Sequence, residues 1–182
     1  MLQQHPRRGW SHHSDWLGTD KPPSPARKRN DDLPNGVRLY SYPVAELAKL
    51  QELKGNWANL KAEEATAKLK PYDKEGALLI KTTIRLSHAT SAGISLDGQN
   101  IVDYDMNRNT INGTFYSPEE IGSMELKMTL LIDRTSVEVY IDDGAYSYVM
   151  ERRAHNSSGF NFWGNNIMVK ELEVSTLRSI WE

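Results

Sequence analysis

Leu126-Lys127-Met128-Thr129-Leu130-Leu131-Ile132-Asp133-Arg134-Thr135-Ser136-Val137-Glu138-Val139-Tyr140-Ile141-Asp142-Asp143-Gly144-Ala145-Tyr146-Ser147-Tyr148-Val149-Met150 is the stretch that decides the fold. Apolar side chains recur at every second position: Leu126, Met128, Leu130 and Ile132, then Val137, Val139 and Ile141, then Tyr146, Tyr148 and Met150. A period of two places each set on one face of an extended strand. The polar Asp133-Arg134-Thr135-Ser136 separates the first set from the second, as a tight turn requires. Asp143-Gly144, a pair that tolerates positive φ and favours a two-residue hairpin, separates the second from the third. The expectation is a meander of three antiparallel strands, with every other strand laid beside or over it.

Working outward, the same alternation appears from Gly76 onward. Leu78, Ile80, Thr82, Ile84 and Leu86 alternate with Leu79, Lys81, Thr83 and Arg85. Ala92–Leu96, a turn at Asp97-Gly98, and Ile101–Asp105 follow; a second turn at Asn107–Asn109 leads into a strand over Thr110–Phe115. Near the end, Ile167–Val169 and Leu172–Val174 are half a period out of phase, as a β-bulge at Lys170-Glu171 produces. Upstream, Val37–Tyr42 reads as a strand stopped by Pro43. Leu47, Leu50 and Leu53 mark a short amphipathic helix near 44–53. Trp57–Lys70 is rich in alanine and glutamate but weakly periodic, and is assigned to strand and loop. Short strands with frequent turns and no long helix predict an all-β fold, a two-sheet antiparallel β-sandwich of the concanavalin-like jelly-roll type. A single open sheet would leave the alternating apolar faces nothing to bury against.

Residues 1–35 differ in character. They hold Pro6, Pro22, Pro23, Pro25 and Pro34 and the basic run Arg27-Lys28-Arg29, and proline at this density suppresses helix and central strand alike. An irregular strap is expected there, either mobile or laid across the sandwich by Trp10 and Trp16, with the sandwich domain occupying 36–182. The 182 residues suit one domain with such an appendage, and a hydrophobic share of 38% is enough to build a core. Twenty-two basic residues against 24 acidic leave a net charge of −2, which gives no bulk attraction to nucleic acid or to a membrane. The absence of cysteine excludes a disulfide scaffold and thiolate metal ligands. No apolar run approaches the roughly 20 residues of a membrane helix, and the first residues lack the apolar segment of a signal peptide.

Residues with chemical potential are few. Asn30-Asp31-Asp32-Leu33-Pro34-Asn35-Gly36 approximates a glycosidase nucleophile motif, Asn-Asp-Pro-Asn-Gly, but the inserted Asp-Leu spoils the spacing, and Asn-Gly is first of all a turn signal. Asp103–Asn107 begins like a calcium loop, yet Arg108 and Thr114 stand where glycine and glutamate are needed. The histidines show no metal-binding pair, and neither metal nor cofactor is expected. Adjacent carboxylates at Asp31-Asp32, Glu63-Glu64, Glu119-Glu120 and Asp142-Asp143 point to opposite faces of an extended chain. None of these pairs by itself spans a sugar as two glycosidase carboxyls must.

Leu130–Gly144 nevertheless resembles the signature of the C-terminal β-sandwich of glycoside hydrolase family 32, the β-fructosidases that include levanases, inulinases and invertases. That signature is a hydrophobic run, Asp-Arg-Ser-Ser-Val-Glu-Val-Phe, and an acidic turn ending in glycine. Ser91–Ile94 through Asp103-Tyr104-Asp105 is similar to a strand pair of the family, Asn35–Val44 to the entry of its sandwich, and Leu177-Arg178-Ser179-Ile180-Trp181 to its closing segment. Gly9-Trp10, Trp16 and Pro22-Pro23-Ser24-Pro25 look more loosely like the end of the family's catalytic propeller. The bridging Leu-Pro-Arg-Glu-Leu strand of the family is absent, and so are its nucleophile, its Arg-Asp-Pro and its glutamate beside cysteine, so no catalytic role is carried over to any residue here.

The resemblance implies a non-catalytic module that packs against the catalytic β-propeller of a parent β-fructosidase. It also implies an alternative, a fructan-binding carbohydrate-binding module for levan or inulin. Sugar binding needs ring surface and charged groups that accept vicinal hydroxyls. Asp133, Arg134 and Glu138, around the first turn of the meander, with Tyr140 and Trp163 as ring surface, are the candidates. For Asp133 and Arg134 the competing explanation is turn capping and a surface ion pair. Apolar surface left bare by an absent domain would suit a homodimer, and the resemblance suggests a secreted or periplasmic location.

Overall fold

The computed structural model describes residues 40–86, 89–116, 124–152 and 158–178. The strap over 1–35 with Trp10 and Trp16, the Asn30–Gly36 stretch, the histidine pair and the segment beyond Arg178 lie outside the described residues. The strands are β1 (Gln51–Lys61), β2 (Leu78–Arg85), β3 (Ser91–Leu96), β4 (Gln99–Asp105), β5 (Thr110–Ile111), β6 (Thr114–Phe115), β7 (Glu125–Ile132), β8 (Ser136–Ile141), β9 (Tyr146–Glu151), β10 (Phe160–Gly164) and β11 (Met168–Leu177). One helix, α1 (Ala62–Leu69), follows β1. The strands form a six-stranded sheet in the order β1-β11-β2-β7-β8-β9 and a five-stranded sheet in the order β10-β3-β4-β5-β6, giving an antiparallel sandwich.

The expected meander is β7, β8 and β9, paired in sequence order. Leu130 faces Val139 and Val139 faces Tyr148, so the three alternating sets share the inner face. The row continues the other way, Leu130 to Ile80, Ile80 to Val174 and Val174 to Gly55, crossing all six strands. At its end, the ring of Trp57 folds over Gly55, where a Cβ would lie 2.0 Å from Cη2 of that ring. Ile94, Val102, Tyr104 and Phe162 bring the second sheet down onto this row, and all are buried.

The bulge in the last strand is present: against β2 the register of β11 shifts between Val169 and Glu171, so Lys170 is the extra residue. Val169, Leu172 and Val174 are thereby all buried despite their uneven spacing. Beside the bulge, Thr82 faces inward and donates its hydroxyl to the Glu171 carbonyl at 2.8 Å. This bond meets the requirement that a buried polar group be paired.

Four expectations need correction. The helix near 44–53 shrinks to a 3-10 helix over Ala45–Lys49 with no buried residue, because Gln51–Leu53 pair with Ser175–Leu177 instead. Trp57–Lys70 is not strand and loop throughout: β1 runs to Lys61 and α1 follows. Glu63 and Glu64 complement the helix N-terminus, Glu64 accepts the Lys61 backbone N–H at 2.8 Å, and Ala65 and Leu69 face the core. Alanine carries so small a hydrophobic signal that the helical period was faint. In the third case, the described part of the Val37–Tyr42 strand, Tyr40–Tyr42, joins no sheet; Ser41 instead donates its backbone N–H to Gly144 O at 3.0 Å.

The fourth correction concerns turns. Thr110–Phe115 is two short strands hinged at Asn112-Gly113, both at positive φ (48° and 75°), as an Asn-Gly hairpin demands. The β8–β9 connection is a four-residue turn, Asp142–Ala145, with positive φ at Asp142, Asp143 and Gly144. The strand β10 went unassigned in the sequence. Among the described residues, no helix is long and apolar enough to cross a membrane.

Leu130, fully buried in the central row, should show the cost of breaking that row. Leu130→Ala is expected to lower stability by about 2–5 kcal/mol, whereas Val149→Ala on the exposed face of β9 should change it by less than about 0.5 kcal/mol. Urea denaturation of both variants checks the contrast.

Candidate functional site

The turn between β7 and β8 and the outer face of β8 carry four of the five candidate residues. Asp133 closes the turn, its backbone N–H donating to Ser136 O at 2.8 Å, while its carboxylate takes the Arg134 N–H at 2.7 Å. Both side chains are exposed. Because Val137 and Val139 face inward, Glu138 and Tyr140 must face outward, and the Tyr140 hydroxyl donates to Glu138 Oε2 at 2.5 Å. Burial first, and then the Glu138 carboxylate, push the Tyr140 phenol up to about 12, so it remains a hydrogen-bond donor throughout the neutral range.

A groove of about 200 Å³ opens beside the turn. Leu47 from the 3-10 helix, Leu131 from β7 and Leu177 from β11 form its apolar wall, and Asp133, Ser136 and Glu138 are its polar lining. Asp133 and Glu138 thus converge on one concavity, as vicinal hydroxyl recognition needs. Arg134 does not line it; its guanidinium stem lies over Gly76, where a Cβ would come within 3.2 Å of Nε. Trp163 belongs to neither: it sits on β10 in the other sheet, its ring packed over Gly93, with its indole N–H buried and unpartnered among the described residues.

Three contributors escaped the sequence reading. Leu47 and Leu177 reach the groove from distant segments, and no local pattern marks either. Arg152, just past β9, donates its guanidinium to the carbonyls of Asp73 (3.4 Å), Glu75 (3.3 Å) and Asp133 (3.3 Å). Its backbone N–H also reaches Thr135 O at 2.9 Å. This one side chain ties the β7–β8 turn to the loop before β2 and so holds Asp133 at the groove.

No family model matches the chain. It aligns along 95% of its length with the levanase of Bacillus subtilis (strain 168), at 24% identity over 210 positions, and covers 30% of that enzyme. Its relatives are β-fructosidases of glycoside hydrolase family 32. Among solved structures, sucrose-6-phosphate hydrolase from Lactobacillus gasseri superposes with a TM-score of 0.52 at 14% identity, over 81% of this chain and 32% of that one. The exo-inulinase from Aspergillus awamori gives 0.45 at 14% identity, over 72% and 28%. The chain therefore spans about a third of the length of the β-fructosidases it matches. Leu130–Gly144, the stretch that resembles the family 32 signature, falls on the β7–β8 hairpin and the turn after β8, and it sets the central row and carries Asp133 and Glu138.

Replacing Arg152 tests whether it governs the turn. Arg152→Ala should destabilise the protein by about 1–2 kcal/mol by stripping donors from three carbonyls, with faster amide exchange at Asp133. Arg152→Lys should recover only part of this, since one ammonium cannot reproduce the planar fork.

Proposed function

We propose that this chain is the non-catalytic C-terminal β-sandwich module of a family 32 β-fructosidase, packing against a catalytic β-propeller and stabilising it. The supporting observation is the asymmetry of coverage: 95% of this chain aligns with the levanase but only 30% of the levanase with this chain. In this reading residues 1–35 are the end of the propeller and residues 36–182 the module. An apolar ridge fits such a role. Tyr40 and Tyr42 stack at 6.3 Å with an interplanar angle of 13°, and with Val44 they are 45–65% exposed. Contacts between domains of one chain bury about 600–1,500 Å², and exposed rings of this kind are suited to supply part of it.

The chain alone should release no fructose from sucrose, inulin or levan; turnover that persists through successive purification steps would overturn the proposal. In the parent polypeptide, deleting residues 36–182 should lower the Tm of the propeller, and an unchanged Tm would remove the stabilising role.

The groove favours a second reading, fructan binding, because two carboxylates and a hydroxyl face an aliphatic wall in a concavity of about 200 Å³. Carboxylates accept from adjacent sugar hydroxyls while the aliphatic wall receives the apolar face of the ring. Electrophoresis through gels containing levan or inulin should then show retardation that Glu138→Gln weakens about tenfold, a loss typical of one charged hydrogen bond. Equal mobility with and without polysaccharide leaves the packing role alone.

A further inference from the structure

One side of the sandwich is closed by tyrosines. Tyr116 follows β6 in the five-stranded sheet, while Tyr146 and Tyr148 lie on the inner face of the edge strand β9. Their rings pack in series, Tyr116 to Tyr146 at 5.7 Å and 49°, and Tyr146 to Tyr148 at 5.5 Å and 57°, tilts that aromatic quadrupoles favour. Two hydroxyls then cross between the sheets in opposite directions. Tyr148 donates to Ile101 O at 2.6 Å and accepts from Asn112 Nδ2 at 2.9 Å, both in the five-stranded sheet. Tyr116 donates to Asp142 Oδ2, in the turn after β8 of the six-stranded sheet.

The two crossings differ chemically. The first joins a phenol, an amide and a carbonyl, none of which changes charge near neutrality. The second ends on a carboxylate that does. Among the described residues, the titratable and charged groups around Asp142 are Asp143 beside it, Lys127 on β7, Tyr116 after β6, Tyr146 packed on Tyr116, and Tyr104 on β4. Asp105, farther along β4, bears with Asp142 on Tyr104. Lys127 offers Asp142 Oδ1 its backbone N–H at 3.4 Å, but its ammonium is taken by Asp143 at 2.7 Å. Tyr104 is 1% exposed, with a hydroxyl that finds no partner among the described residues; burial first, then the charges of Asp142 and Asp105, raise its pKa and keep it a neutral phenol. Among the described residues, an ionised Asp142 therefore has one phenol donor and one long backbone contact, an acidic neighbour and no cation of its own.

We propose that Asp142 is a pH-sensitive latch between the two sheets, closing the tyrosine seam when protonated and loosening the β9 edge and the β5–β6 hairpin when ionised. Burial is the largest influence on its carboxyl; the Lys127 N–H opposes burial, Asp143 reinforces it, and the outcome is a rise from 3.8 to about 7. With the folded pKa above the unfolded one, the stabilisation is complete below about pH 4, shrinks as pH rises, and is gone above about 7. Loosening is a local opening, since the seam meets the central row at Tyr148 on the edge strand, two strands away from Leu130 on β7.

Hydrogen exchange on the full chain tests the latch, with opening constants corrected for the intrinsic pH dependence of exchange. Between pH 5.5 and 8, amides of β9 and of β5–β6 should open about tenfold more readily, and the Asp142 carboxyl resonance should titrate near 7. Asp142→Asn, which keeps a partner for Tyr116 but cannot ionise, should abolish the change. The same tenfold change in Asp142→Asn, or a carboxyl titrating below about 5, overturns the proposal. Should that variant fail to fold, Asp143→Asn takes its place: removing the acidic neighbour should move the opening midpoint to lower pH on releasing Lys127, and an unmoved midpoint is equally fatal.

Discussion

Leu130 opposite Val139, and Ile80 opposite Leu130, is the pairing on which the rest of the structure depends. A slip of one residue in the β7–β8 hairpin would turn Leu130 to solvent and Leu131 into the core, and each neighbouring strand would have to follow. The same register determines the outer face. Leu131 lies opposite Glu138 there, so the groove wall and its carboxylate are products of the pairing that buries the core. Core and candidate site cannot be altered independently at this hairpin.

The outer face is organised by segments that come from far away in sequence. The 3-10 helix brings Leu47 over β7, and Arg178 donates to Lys49 O at 3.3 Å and to Leu50 O at 3.0 Å, which fixes where that helix sits. Farther along the sheet, Glu125 bonds both Lys170 (3.1 Å) and Arg85 (3.3 Å), and these partners lower its pKa, Lys170 foremost. The sheet thus presents an aliphatic, carboxylate-lined groove near the β7–β8 turn and a cross-strand ionic lattice near the bulge. The groove combines concavity with two carboxylates, Asp133 and Glu138.

The two sides of the sandwich are closed by different physics. On the β10 side the seal is steric: a Cβ on Gly93 would lie 2.1 Å from Val102 O and 2.5 Å from Trp163 Cζ2, so glycine is what lets the indole lie flat. α1 completes that side through Thr66, whose hydroxyl accepts the Phe162 N–H at 2.9 Å. On the β9 side the seal is a chain of phenols whose hydroxyls reach across to the opposite sheet. A seal made by close packing is indifferent to pH, whereas one that ends on Asp142 is not.

The alternation in Leu126–Met150 determined by itself that there would be a meander with one buried face, because side-chain direction in a strand depends only on the parity of position. The phase break around Lys170 likewise showed in sequence, since a bulge is the one local device that keeps Val169, Leu172 and Val174 on the same face. Glu138 and Tyr140 were legible as outward-facing for the same reason of parity. Tertiary structure alone decided that Trp163 is spent over Gly93 in the other sheet, that Leu47 and Leu177 wall the groove, and that Arg152 holds the turn. It also decided that Tyr116 meets Asp142. These facts rest on contacts between segments far apart in the chain, and parity and local propensity carry no information about which distant surfaces will meet.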